Sequence, residues 1–181
     1  YKITTLILRT ANNIYANLKY SDAGLTSLTT VSFDFSGWIS GSAFKHTTYA
    51  NLATISIGDS ITGIGNNAFQ DCTGLTTISL GTGLISIGNS TFKGCNNVYL
   101  TSITIPSLVT TIGSNAFENC SSITSITNLG SLSLSIINNS TFKGCSALTS
   151  VSIPNTVITI DVSAFENCSS ITSITNLGSL S

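Results

Sequence analysis

The sequence predicts a repeat solenoid built mostly from short β-strands, and three periodic features predict it. Phenylalanine recurs with steps of 25, 23, 25, 25 and 23 residues, at Phe44, Phe69, Phe92, Phe117, Phe142 and Phe165. Cysteine follows three residues after five of these, at Cys72, Cys95, Cys120, Cys145 and Cys168. Isoleucine precedes all six by five residues, at Ile39, Ile64, Ile87, Ile112, Ile137 and Ile160. A fixed period between about 20 and 50 residues is the signature of stacked structural repeats.

Each unit contains two short strands and a turn. The pattern L-x-x-I-x-I, as in Leu75, Ile78 and Leu80, predicts a first strand whose alternate side chains point inward. Residues 109–112 show the same alternation and predict a second strand. The segment around the phenylalanine, such as residues 115–120, is too short for a stable helix and predicts a tight or 3₁₀ turn. Such units bury their apolar side only by stacking, about 4.8 Å apart.

Residues 100–120 read LTSITIPSLVTTIGSNAFENC, and this unit resembles the BspA-like leucine-rich repeat. The resemblance covers about residues 25–181. It implies a right-handed, curved solenoid with a parallel sheet on its concave face and short second strands and turns on its convex side. It also implies exported, surface-attached proteins of bacteria and some protists, often adhesins, with no catalytic motif. The family proline is kept at Pro106 and Pro154 but is missing after Leu80 and Leu129.

The domain organisation follows from where the pattern holds. Residues 1–24 are expected to form a degenerate first coil or N-terminal edge, because the repeat pattern fails there. Residues 25–181 are expected to form one solenoid domain of about six repeats.

The composition argues against several classes of protein. Serine, threonine and asparagine supply 74 of the 181 residues, and charged residues supply only 7%. A hydrophobic fraction of 41% with a net charge of -1 argues against disorder. Six scattered basic residues cannot build a nucleic-acid-binding patch. One histidine and seven carboxylates leave little acid-base or metal chemistry, so we expect no enzyme and no cofactor. No apolar run approaches the roughly 20 residues of a membrane span.

The phenylalanine and cysteine columns are the expected structural core. Five cysteines on this period lack the C-x-x-C spacing of zinc sites. Stacked side chains run parallel, whereas disulfide geometry is demanding. Buried structural thiols are therefore favoured over disulfides, and disulfides over metal ligation, with the sulfurs packing as small hydrophobes.

Charged residues directly follow four of the phenylalanines, in an order of alternating sign: Lys93, Glu118, Lys143 and Glu166. Stacking places them in a possible inter-coil charge ladder. A solvated row worth about 0 to 1 kcal/mol per pair is the favoured interpretation. The ladder could also set the register between coils or subunits.

Other polar and aromatic residues have a favoured structural role. Asparagines before the phenylalanine turn, including Asn66, Asn67, Asn89 and Asn115, favour left-handed turns and hydrogen bonds to backbone. His46, the single histidine, is expected on the surface or in a turn. The N-terminal third of the chain is rich in aromatic residues, which are expected to belong to a capping first coil rather than to a recognition patch: Trp38, Tyr49, Tyr20 and Tyr15.

The solvent side of the first strands is expected to form a nearly uncharged hydroxyl surface on the concave face. Its members include Thr76, Thr77, Ser79, Thr101, Ser102 and Thr104. Such a surface could bind a protein or a glycan, but polar residues that favour strands look the same. The sequence leaves both readings open.

The ends of the array suggest self-association. Residues 117–133 are repeated without change as residues 165–181, and no polar cap sequence is visible after the second copy. Solenoids normally shield their terminal coils. Head-to-tail docking would extend into a filament. Its expected contact residues are Ile3, Leu6, Leu8, Ile174, Leu177 and Leu180.

Two functions from different classes follow. The first is a non-enzymatic extracellular or cell-surface protein that acts in adhesion, with a protein or glycan partner on the concave face. The alternative is a structural subunit whose copies assemble end to end. Charged residues appended after Ser181 should stop the end-to-end assembly and leave adhesion intact.

Overall fold

Two columns of short strands build the protein, in a computed structural model that describes residues 3–9, 25–44 and 49–175. The first column contains β1 (Thr5–Leu8), β2 (Thr30–Phe33), β4 (Thr54–Ile57), β6 (Thr77–Ser79), β8 (Ser102–Thr104), β10 (Ser125–Thr127), β12 (Ser150–Ser152) and β14 (Ser173–Thr175). The second contains β3 (Gly37–Ile39), β5 (Ile61–Ile64), β7 (Ser86–Ile87), β9 (Thr111–Ile112), β11 (Ile136–Ile137) and β13 (Thr159–Ile160). From β2 to β13, each of six coils contributes one strand to each column.

The strands pair in parallel, each with the equivalent strand of the next coil. In the first column the register joins Val31 to Ile55 and Ile55 to Ile78, so equivalent repeat positions stand side by side. The predicted fold is therefore confirmed as a parallel-strand β-solenoid of about six turns with almost no helix. Strand β1 pairs with β2 and continues the first column into the region where the sequence pattern is weak.

The core is a stack of phenylalanine rings flanked by leucine and isoleucine columns. From Phe44 to Phe165, successive rings lie 5.4 to 5.9 Å apart with interplanar angles of 5 to 15°. The turns around them are tight, as where the Cys72 amide donates to the carbonyl of Phe69. This stacking of equivalent side chains buries an apolar surface that a single coil would leave in water.

Asparagine side chains help to join neighbouring coils at these turns. Asn67 and Asn115 have φ values of 58° and 60°, in the left-handed region that asparagine tolerates. The Oδ1 of Asn66 accepts from the Asn89 amide at 2.8 Å, and the Oδ1 of Asn89 accepts from the Ser114 amide at 3.0 Å. These two bonds satisfy backbone donors in the next coil.

The columns are interrupted beside two insertions. The first column breaks after β6 and after β10, and the second breaks after β9. Leu100 follows its coil's cysteine by five residues, where Ile123 follows Cys120 by three, and this extra length lies directly before β8. A second insertion contains a 3₁₀ turn at Leu129–Ser131, between β10 and β11. Extra residues displace a strand relative to its neighbour, and the ladder is lost at that point.

Candidate interaction surface

The outward positions of the first column carry hydroxyl groups on seven successive strands. We call this surface the hydroxyl face. Its members are Thr30, Ser32, Thr54, Ser56, Thr77, Ser79, Ser102, Thr104, Ser125, Thr127, Ser150, Ser152, Ser173 and Thr175. At these described positions no side chain is charged, so the face offers hydrogen bonds and no electrostatic attraction. Of the other residues expected here, Thr76 is half-buried and its hydroxyl donates to the Ala53 carbonyl at 3.1 Å.

A cleft of about 450 Å³ opens on the hydroxyl face between β6 and β8. Its lining residues are Ile78, Ser79, Leu80, Thr82, Thr104, Pro106, Ser107 and Asn128. Ile78 is only half-buried, whereas its register partner Ile55 is fully buried. The lost pairing between β6 and β8 thus exposes apolar side chains of the core, and hydroxyl and amide groups surround them. An apolar floor with a few polar groups is the usual composition of a binding pocket.

The insertion before β8 presents two exposed apolar side chains. Val98 is 71% exposed and Tyr99 is 76% exposed. Asn97 shapes this segment, because its Oδ1 accepts from the Tyr99 amide at 3.0 Å and its Nδ2 donates to the Thr73 carbonyl at 3.3 Å. An aromatic side chain held away from the core in this way can serve as a contact for a partner.

The five cysteines carry free thiols, which are buried except at half-buried Cys168. Each Sγ donates to the carbonyl of the phenylalanine in the preceding coil, at 3.1 to 3.4 Å. Burial raises the pKa of Cys72 and of Cys120 to about 12. Neutral thiols of this kind are poor nucleophiles and poor metal ligands. Across the described residues, no three histidine, cysteine or acidic side chains are grouped where they could hold a metal ion.

Two ion pairs form between the residues of the expected charge ladder. Lys93 Nζ lies 2.7 Å from Glu118 Oε2, and Lys143 Nζ lies 3.0 Å from Glu166 Oε1. No ion pair joins Glu118 to Lys143 in the part of the chain that the structure describes, so the row consists of two separate pairs. Partial burial would raise the pKa of Glu118, but hydrogen bonds from Lys93 and Asn115 outweigh it and lower that pKa.

The residues expected at the ends occupy different environments. Leu8 is buried in the core and Leu6 packs against it, while Ile3 and Ile174 are each 46% exposed. Leu177 and Leu180 lie outside the described residues, as do His46, Tyr15 and Tyr20. Tyr49 is buried against Phe44, with ring centroids 5.2 Å apart. Trp38, by contrast, is 50% exposed.

Sequence reasoning missed both the cleft and the exposed pair Val98 and Tyr99. A signal for them exists in the spacing, because the interval from Cys95 to Leu100 is two residues longer than the other intervals after a cysteine. The hydrogen bonds from the cysteine thiols to the phenylalanine carbonyls had no such signal in the sequence. It depends on the rotamers of the cysteines.

Comparisons with known proteins agree with this architecture. The family model described as a BspA type leucine rich repeat region matches residues 37–172 in six copies. A leucine-rich repeat protein from Bacteroides ovatus is 24% identical, with 86% of this chain and 46% of that chain covered and a TM-score of 0.59. A leucine-rich repeat protein of T. pallidum is 22% identical, with 79% and 78% covered and a TM-score of 0.56.

At these identities the two structures are evidence for the fold alone. This chain spans a little under half of the length of the Bacteroides ovatus protein. A search of curated proteins finds no match. No helix in the described part of the chain is long and apolar enough to cross a membrane.

Proposed function

Because the chain belongs to the BspA-type leucine-rich repeat family, we propose that it is a non-enzymatic scaffold that binds a partner protein through its hydroxyl face. The observation that carries this proposal is the cleft between β6 and β8, which lies at one of the two breaks in the first column of described strands. Hot spots of protein interfaces concentrate in pockets that a partner side chain can fill and desolvate. The half-buried Ile78 and Leu80 provide such a floor.

The chemistry of the cleft defines the partner segment it would accept. Its lining has no charged side chain, so a charged partner group would lose hydration without gaining an opposite charge. An apolar partner side chain flanked by backbone amides fits better. The amides would meet hydroxyl groups such as those of Ser79 and Thr104 at the rim.

Peptide selection tests this proposal. Phage-displayed random peptides are selected on the wild-type protein, and the affinities of the selected peptides are measured by calorimetry. We expect Ser79→Arg to reduce affinity at least tenfold, because the new side chain would occupy the rim of the cleft. Ser150→Arg is the matched control, since Ser150 is an exposed residue of the same face on β12. Equal affinities for both variants would disprove the cleft as the anchor.

A cell-surface, adhesive role is the finer part of the proposal. The proposal rests on the family, because BspA-type repeat proteins are typically surface-associated bacterial proteins. Brief protease treatment of intact source cells should remove the protein while cytoplasmic markers persist. Full protection of the chain under that treatment would contradict surface exposure.

Self-association is the second candidate, favoured by apolar side chains at both edges of the described strands. Ile7 in β1 and Ile174 in β14 are exposed, and each of these strands has one pairing partner among the described residues. An unpaired strand edge can add an equivalent strand from another molecule. Sedimentation velocity across a dilution series should then show concentration-dependent growth that Ile174→Lys abolishes. A monomer at every concentration would refute this candidate.

A further inference from the structure

A half-exposed indole lies over a glycine in the second column. Trp38 pairs with Gly63, Gly63 with Ser86, and Ser86 with Thr111, so these four residues form one register row across β3, β5, β7 and β9. We call it the Trp38 row. A Cβ at Gly63 would overlap the six-membered ring of Trp38, so only glycine leaves room for the indole. The pairing of β3 with β5 skips Thr62, so the register shifts by one residue beside this contact, and irregularities of this kind commonly redirect side chains.

The Trp38 row continues from the indole as a line of hydroxyl groups. The Thr111 hydroxyl donates to Ser86 Oγ at 2.9 Å. Among the described residues the Ser86 hydroxyl has no acceptor for its own hydrogen. A ligand placed on the indole, whose ring lies over Gly63, would therefore meet a hydroxyl donor on β7, about 4.8 Å beyond Gly63 along the solenoid axis.

We propose that the Trp38 row is a binding site for a neutral glycan, with one sugar ring stacked on the indole and the next over Ser86 and Thr111. The exposed face of an aromatic ring is electron-rich, and it attracts the C–H groups on the flat side of a pyranose. Sugar hydroxyls extend from the rim of that ring and exchange hydrogen bonds with neighbouring hydroxyls. The row supplies both groups in sequence.

The composition of the Trp38 row favours a sugar over a protein partner. Its other three members are one glycine and two hydroxyl residues, which offer hydrogen bonds and little apolar surface for a protein hot spot. The row carries no charge, which favours a neutral ligand over an anionic one. This site lies in the second column, so it is separate from the proposed protein-binding cleft in the first.

Trp38 provides the assay, because it is the single tryptophan of the chain. The probes are three neutral oligosaccharides: cellohexaose, laminarihexaose and mannohexaose. We expect at least one of them to shift the fluorescence of Trp38 saturably and to bind in calorimetry. Trp38→Ala should reduce the calorimetric affinity at least tenfold, and Trp38→Phe should retain part of it because a smaller aromatic face remains.

Two further variants separate sugar stacking from general damage. Gly63→Ala leaves the indole in the sequence but displaces it, so affinity should fall several-fold and emission should change without sugar. Tyr99→Ala removes an exposed aromatic residue elsewhere and should leave sugar affinity unchanged. The proposal is overturned if no probe binds or if Trp38→Ala binds as the wild type does. Loss of the cleft-selected peptides in Trp38→Ala would instead assign Trp38 to a protein interface and also overturn it.

Discussion

The phenylalanine column can be tested by truncating the same side chain at two positions that are followed by the same sequence. Phe117 begins a segment, residues 117–133, that is repeated without change from Phe165 onward. Phe117 is fully buried and stacks on two rings, those of Phe92 and Phe142, at 5.5 and 5.6 Å. Phe165 is partly buried, and its described stacking partner is Phe142, at 5.4 Å. The sequence from the phenylalanine onward is constant, so the difference between Phe117→Ala and Phe165→Ala reports mainly the surroundings in the stack.

The expected magnitudes follow from burial and neighbours. Truncating a buried phenylalanine to alanine typically costs about 3 to 5 kcal/mol, so we expect Phe117→Ala to lower the free energy of unfolding by about 4 kcal/mol. Phe165 has one fewer described ring contact, each worth about 0.5 to 1.5 kcal/mol, and it is less buried. We therefore expect Phe165→Ala to cost about 2 kcal/mol.

Equilibrium urea unfolding measures both values. Far-UV circular dichroism follows the whole array, and Trp38 fluorescence follows the N-terminal coils. Coincident transitions would justify a two-state analysis, which repeat arrays do not always obey. Equal losses in the two variants, or a larger loss in Phe165→Ala, would refute the idea that stacking between coils supplies the difference.

Two further predictions concern ionisable groups. In the native protein at pH 8, Cys168 should react with a thiol reagent before the other four cysteines, because they are buried and it is only half-buried. Burial raises the pKa of all five thiols, and in denaturant all five should react. The substitution Glu118→Gln should lower the free energy of unfolding by less than about 1 kcal/mol at neutral pH. The folded pKa of Glu118 lies below its ordinary value, so this difference in the free energy of unfolding should begin to shrink as the pH falls below the ordinary glutamate value and should be lost as the pH falls through the folded pKa. A difference that stays constant over this range in urea unfolding would contradict the ion pair.

The architecture was predictable because the stacked repeat imposes the same demand on every coil. A residue such as Phe92 must meet its equivalents at Phe69 and Phe117, so the period in the sequence reports the contact directly. The free thiols follow from the same argument, since parallel stacked side chains place sulfurs in a column. Handedness and curvature remain predictions from the family resemblance.

The candidate sites were less predictable because they depend on exceptions to the period. The position of Trp38 over Gly63 coincides with a skipped residue, Thr62, and a missing side chain, both in β5, and neither produces a periodic signal. The cleft likewise requires that β6 and β8 fail to pair. The sequence shows the insertion that precedes β8, but the distance it creates between strands depends on how the longer segment folds.

Both proposed sites arise where a regular solenoid fails to satisfy its own pattern. A coil in register pairs its backbone groups and buries its apolar columns, so its surface repeats the same small hydroxyl residues from strand to strand. Such a surface has little to distinguish one position from the next. An insertion beside β8 exposes Ile78 and Leu80, and a register shift beside Trp38 accompanies an indole held at the surface. Regular coils therefore supply stability, and local departures from them supply the chemical differences on which selective binding depends.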